Sequence, residues 1–156
     1  MGQIFDAGEI FKVAIEMERN GAEFYRSAAG QVSEEEHRRL LRGLAEMEDE
    51  HEKIFNDLSR ELSAESSDYF DPDGYAARYL KSIADTRIFF EREIDMSSME
   101  AILKEAIQAE EDSIVFYVGM KEMVPDETGK EKIDAIIKEE MGHVRLLSEL
   151  LTDEQG

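Results

Sequence analysis

Two glutamate–histidine pairs carry chemical potential in this chain of 156 residues: Glu48-x-x-His51 and Glu140-x-x-His143. On a helix, positions i and i+3 share a face about one turn apart. Each pair therefore offers a carboxylate and an imidazole side by side. One glutamate lies thirty residues before each pair, Glu18 before Glu48 and Glu110 before Glu140. Four carboxylates gathered inside one bundle are very costly without cations. They must protonate or bind metal. A Glu from each of two helices, with a Glu-x-x-His from each of two others, is the ligand set of a carboxylate-bridged di-iron or di-manganese centre. In that arrangement Glu48 and Glu140 are expected to bridge, and His51 and His143 each to terminate one metal.

Self-comparison supports the pairing. A gapless shift of 92 residues lays Ala14-Ile15 on Ala106-Ile107, Glu18 on Glu110 and Phe24-Tyr25 on Phe116-Tyr117. The same shift lays Glu48 on Glu140, His51 on His143 and Leu58 on Leu150. The chain reads as two copies of one helical hairpin. Glutamate is abundant, 26 of the 38 acidic residues, so an isolated E-x-x-H carries little weight. Glu34 and His37 form a third one, but the shift places them on Asp126 and Gly129. That pair is read as solvated surface.

Tyr25 and Tyr117 lie seven residues after Glu18 and Glu110, two turns along the same face. One reading is core packing, with the hydroxyl finding any acceptor. The other is a hydrogen bond to a ligand carboxylate, or a role near bound oxidant. Phe24, Phe116 and the methionines are expected in the core. Phe89-Phe90 is read as a plug onto the bundle.

Four long helices are needed to position these residues. Glu, Ala, Leu, Ile, Lys and Met dominate and favour helix, and the only prolines are Pro72 and Pro125. Phe11, Ala14, Ile15, Ala22 and Tyr25 fit one helical stripe. Leu40, Leu44, Met47, His51, Ile54 and Leu58 fit another. The spacing predicts long helices at about 6–29, 34–63, 98–123 and 127–151. Ser33 with Glu36 and Ser97 with Glu100 have capping-box spacing, and Val124-Pro125-Asp126 marks the last turn. Asp71-Pro72 resembles an N-cap followed by proline at the first helical position. A short helix is therefore predicted at about 72–84.

The stretch 64–96 is too long for a tight turn. A helix of about 26–30 residues is roughly 40–45 Å long, and a connection of about 30 residues can run back along it. The second and third long helices can then be parallel. The predicted fold is all-α: one domain over 1–156, made of hairpin 6–63, crossover 64–96 and hairpin 97–151. This is the long-crossover type of four-helix bundle. Within a hairpin, the single Glu and the E-x-x-H differ in height by only about 6 Å, which long side chains can close.

Composition narrows the function. Eighteen basic against 38 acidic residues give a net charge of −20. No nucleic-acid partner is expected, because its recognition relies on Lys and Arg neutralising phosphates. An anionic membrane surface is disfavoured for the same reason. The absence of cysteine excludes disulfides, Cys-ligated zinc, iron–sulfur clusters and rubredoxin-type iron. No apolar run reaches the roughly 18 residues of a spanning helix, and MGQIFDAGEIFK does not read as a signal peptide. A cytoplasmic protein is expected. A hydrophobic content of 42% supports a packed core rather than disorder. Beyond the four glutamates of the repeat, the other acids are expected to be mostly solvated.

The segments AIEMERNGAEFY, AEMEDEHEKIF, AIQAEEDSIVFY and IKEEMGHVRLL, joined by the crossover, resemble the ferritin-like superfamily and within it the rubrerythrin-like proteins. The resemblance covers nearly the whole chain. It implies metal ligands at Glu18, Glu48, His51, Glu110, Glu140 and His143. It implies two iron ions, with Mn or Zn able to occupy the same donors, a reaction with peroxide or oxygen, and a homodimer. It implies a di-iron oxidoreductase reducing hydrogen peroxide, or alternatively a protein that oxidises, buffers or delivers iron with little turnover. Rubrerythrins also carry a four-cysteine rubredoxin-like domain that supplies electrons. With no cysteine here, the expected donor is a separate protein. Rubrerythrins carry a further glutamate three residues after the first ligand of the third long helix. Here that place holds Ser113, and its repeat partner is Gly21.

Overall fold

The helix-favouring composition forms five α-helices: α1 Ala7–Gln31, α2 Glu35–Glu65, α3 Tyr75–Thr86, α4 Met99–Lys121 and α5 Glu127–Gln155. The computed structural model describes residues 7–65, 74–86 and 94–156, apart from the side chains of residues 7 and 62–65. All the regular structure among the described residues is helical. Asp71-Pro72 and the Phe89-Phe90 plug lie outside those residues.

The helix ends follow local chemistry, with shifts from the sequence expectation. Asp126 caps α5, its carboxylate accepting from the Gly129 amide at 2.9 Å. Ser98, rather than Ser97, caps α4, its hydroxyl accepting from the Ala101 amide at 3.1 Å. Ser97 is engaged elsewhere: its amide and hydroxyl both donate to the Asp95 carboxylate. At the start of α2 the Arg38 amide donates to the carbonyl of Glu34, the residue just before the helix. Glu34 thus occupies the cap position expected of Ser33. Side-chain caps such as those of Ser98 and Asp126 contribute about 1 kcal/mol each.

α1 packs along α2, and α4 along α5, as two hairpins. The hairpins meet through α1 against α4 and α2 against α5. Cross-bundle contacts fix the directions. Tyr25 reaches Glu110 while Tyr117 reaches Glu18, so α1 and α4 are antiparallel. Since α1 is also antiparallel to α2 within its hairpin, α2 and α4 run parallel. This is the crossover topology that the long 64–96 stretch predicts.

The apolar stripes gather in two clusters. One holds Phe11, Met17, Phe55, Phe116, Tyr117, Met120 and Ile133, and α3 docks on it through Ala77, Leu80 and Ile83. The other holds Phe24, Tyr25, Leu41, Leu44, Ile102, Leu103 and Leu147. α3 touches α1 and α4, and its approach to α4 is close. A Cβ on Gly119 would lie 2.7 Å from the Tyr79 ring. Met17, Met120 and Met123 follow the core expectation, Met47, Met96 and Met99 are half-buried, and Met141 is 53% exposed. It directly follows Glu140, whose inward direction turns the next residue outward.

Candidate metal centre

Between the apolar clusters lies a polar layer. Glu18, Glu48, His51, Glu110, Glu140 and His143 are all buried, none more than 8% exposed. The sequence places Glu18 on α1, Glu48 and His51 on α2, Glu110 on α4, and Glu140 and His143 on α5. The structure brings all six together. One ligand-capable atom from each of Glu18, Glu48, His51 and Glu140 lies within 4.8 Å of the others. The same holds for Glu48, Glu110, Glu140 and His143. Glu48 and Glu140 belong to both groups, and each histidine to one.

The decisive feature is what these atoms lack. Glu18 Oε2, Glu48 Oε1, His51 Nδ1, Glu110 Oε2, Glu140 Oε1 and His143 Nδ1 are buried without a hydrogen-bond partner. That is one atom from each of the six residues. His51 Nδ1 lies 2.8 Å from Glu140 Oε1 without forming a hydrogen bond to it. No Lys or Arg pairs with these carboxylates among the described residues. Buried polar atoms without partners cost about 1–3 kcal/mol each, and charged ones more. Six of them facing one another form a donor set for cations. Carboxylate and imidazole together suit iron, manganese and zinc.

Three of the six donors are oriented from their other side. The Tyr25 hydroxyl donates to Glu110 Oε1 at 2.7 Å, and the Tyr117 hydroxyl donates to Glu18 Oε1 at 2.6 Å. Each tyrosine therefore serves the carboxylate of the opposite hairpin and packs in the core as well. His51 Nε2 lies 2.5 Å from Glu139 Oε2. Sequence reading missed Glu139. The signal was the doubled Glu139-Glu140, but the repeat hid it, because the position matching Glu139 is Met47. Two further acids, Glu105 and Asp112, are also buried, exceptions among the acids outside the repeat. Asp112 accepts from Gln108 at 3.0 Å, an i,i+4 pair on α4. The Glu34/His37 pair stays apart from the centre, with Glu34 68% exposed and His37 also facing Glu154 at 3.8 Å.

The electrostatics show the cost of gathering these carboxylates in a buried layer. Burial, then the charges of Glu110 and the other carboxylates, pushes Glu48 and Glu140 well above the ordinary carboxylate range. Burial also raises Glu110, but contacts with Glu140 and His143 outweigh it and bring it down to about 2. Burial pulls the His51 imidazolium down, and the Glu18 and Glu139 carboxylates more than offset this, raising it to about 9. Burial and the neighbouring carboxylates hold Tyr25 and Tyr117 well above the usual phenol value. Without metal, protons take the place of cations in this layer.

A family model described as Rubrerythrin matches residues 9–151. The chain belongs to the rubrerythrin family. This rubrerythrin-family chain is also similar to the crystal structure of a Thermotoga maritima protein described as ferritin-like and diiron-carboxylate. The two are 27% identical, the match covers 99% of each chain, and the TM-score is 0.76. A search of the curated proteins returned no match. The family and the ferritin-like bundle thus agree with the resemblance read in the sequence. Among the described residues, no helix is long and apolar enough to cross a membrane.

Proposed function

We propose that this rubrerythrin-family chain is a di-iron carboxylate oxidoreductase that reduces hydrogen peroxide or oxygen with electrons from a separate donor protein. The observation that supports it most is the set of six buried, unpartnered donor atoms, one from each residue of the doubled Glu…Glu-x-x-His pattern. Glu18, Glu48, His51 and Glu140 would hold one ion, and Glu48, Glu110, Glu140 and His143 the other. Two divalent ions balance four carboxylate charges and bring the chain from −20 to −16. An iron pair held by these residues would supply two electrons, enough with two protons to take peroxide to two waters.

The chain's own residues prepare that chemistry. Tyr25 and Tyr117 stay protonated, so they act as donors that hold Glu110 and Glu18 in place rather than as bases. Phe55 against Tyr117, ring centroids 4.9 Å apart, and Phe24 against Tyr25 at 5.6 Å wall the layer from water. None of these 156 residues is a cysteine, so the proposed electron donor is not built from them.

Ser113 favours a second reading, iron oxidation and buffering with little turnover. Its hydroxyl donates to the Ala109 carbonyl at 2.9 Å and provides no carboxylate. Metal analysis of protein purified without added metal tests the centre: two ions per chain are expected, and none above background after anaerobic Fe(II) loading would overturn it. A steady-state peroxide assay with supplied reductant then separates the readings. Repeated turnover supports the reductase, and a single oxidation per centre supports the buffer.

A further inference from the structure

The two halves of the centre match residue for residue at the donors and at the tyrosines. They differ in what stands behind each histidine. Glu139 on α5 faces His51 on α2. The repeat relates Glu139 to Met47 and His51 to His143. A symmetric centre would therefore hold the second ring nitrogen of His143 against residue 47. Methionine cannot accept such a hydrogen bond with comparable strength. No carboxylate lies on His143 Nε2 among the described residues; its ion-pair contacts, at 3.6–3.8 Å, all run from Nδ1.

The consequences for the rings follow. With Glu139 on Nε2, the His51 ring is held so that Nδ1 faces the layer, where metal binding would displace its proton. That Nδ1 lies 2.8 Å from Glu140 and 3.5 Å from Glu18. Among the described residues, His143 Nδ1 comes no nearer than 3.6 Å to a carboxylate oxygen. The His51 side chain is 1% exposed and that of His143 10%. Packing adds to the difference. One turn beyond His51 is Phe55, in the cluster that α3 covers; one turn beyond His143 is the smaller Leu147, in the other cluster.

We infer that the two metal positions are unequal, that the His51 position fills first and holds its ion more tightly, and that Glu139 is the positioning residue responsible. This rests on the metal-binding reading above. The His143 position is then the one that exchanges its ion. A carboxylate behind a histidine ligand is typically worth 10–100-fold in metal affinity, and that is the gap expected between the positions.

Calorimetric titration of the metal-free full chain with Zn(II), which has no redox chemistry, tests this. Two steps separated by about 10–100-fold are expected. Glu139→Met, which copies the other half, should bring both positions to the weaker affinity. Glu139→Gln, whose carbonyl still accepts from Nε2–H, should keep most of the gap. Met47→Glu should tighten the second step towards the first. His143→Ala should remove the weak step and leave the tight one, and His51→Ala the reverse. A thermal melt of each metal-free variant confirms that it folds. Two ions bound with equal affinity, or a gap unchanged in Glu139→Met, would overturn the inference while leaving the metal centre intact. No zinc bound by the wild-type chain would overturn the metal-binding reading itself.

Discussion

The Tyr117 hydroxyl of one hairpin donates to the Glu18 carboxylate of the other, at 2.6 Å. The bond leaves Glu18 Oε2 as the oxygen free to face a cation. Tyr25 does the same for Glu110, so the two tyrosines set the direction of both single-glutamate donors.

Tyr117→Phe and Tyr25→Phe should therefore weaken metal binding while keeping the bundle. The ring still fills its core site, but a buried carboxylate oxygen loses its donor, a cost of about 1–3 kcal/mol. Titration with Zn(II) should show affinity reduced by roughly 10–100-fold, with the helical circular dichroism unchanged. An unaltered affinity would reduce the tyrosines to packing.

The cluster is a liability without metal, so removing one carboxylate should stabilise the empty protein. Glu48→Gln keeps the shape and deletes a group that burial and three neighbouring carboxylates destabilise in its charged form. The metal-free melting temperature should rise, by the equivalent of about 1–4 kcal/mol. Stabilisation by added metal should fall sharply, because Glu48 belongs to both donor groups. A variant that melts lower without metal would contradict this account.

Metal should stabilise the wild-type chain strongly. Ligand at 100 times its Kd contributes about 2.7 kcal/mol per site. For a domain of this size that is a rise on the order of 5–10 °C in Tm. Scanning calorimetry with and without chelator measures it, and coincident melting curves would rule the linkage out.

Acidity should act in opposite directions on different groups. Glu110 is depressed from 4.5 to about 2, so its contribution is present above 4.5 and lost as pH falls through 2. His51 is raised from 6.5 to about 9, so its contribution is full below 6.5 and lost as pH rises through 9. Glu48 and Glu140, also raised, lose theirs in the same upward direction. The metal-free chain should be most stable at mildly acid pH and lose stability between pH 6.5 and 9. Metal expels the same protons, so its stabilising effect should grow over that interval. Melts across pH, with and without Zn(II), would show the two curves diverging upward; parallel curves would refute the coupling.

The donors were legible because they repeat. Six positions under one 92-residue shift are hard to obtain from chance even in a glutamate-rich chain. The fold was legible for a related reason: long amphipathic stripes broken by one long connection admit few topologies. What escaped was local or asymmetric. Ser98 rather than Ser97 caps α4 because Asp95 captures the earlier serine, a competition that spacing does not reveal. Glu139 escaped because it breaks the repeat that exposed the other residues. Asp112 looked like one acid among many, and only the α4 register shows it buried beside Gln108.

The packing of α1 on α2 and of α4 on α5, far more extensive than any packing between the pairs, also has a kinetic consequence. Contacts close in sequence form early, whereas loop closure across a long connection delays distant ones. Each hairpin can therefore assemble by itself, and the late event is their docking. That event is also the one that forces four carboxylates together. Its rate should depend on salt and divalent cations, while the earlier zippering of each hairpin should not.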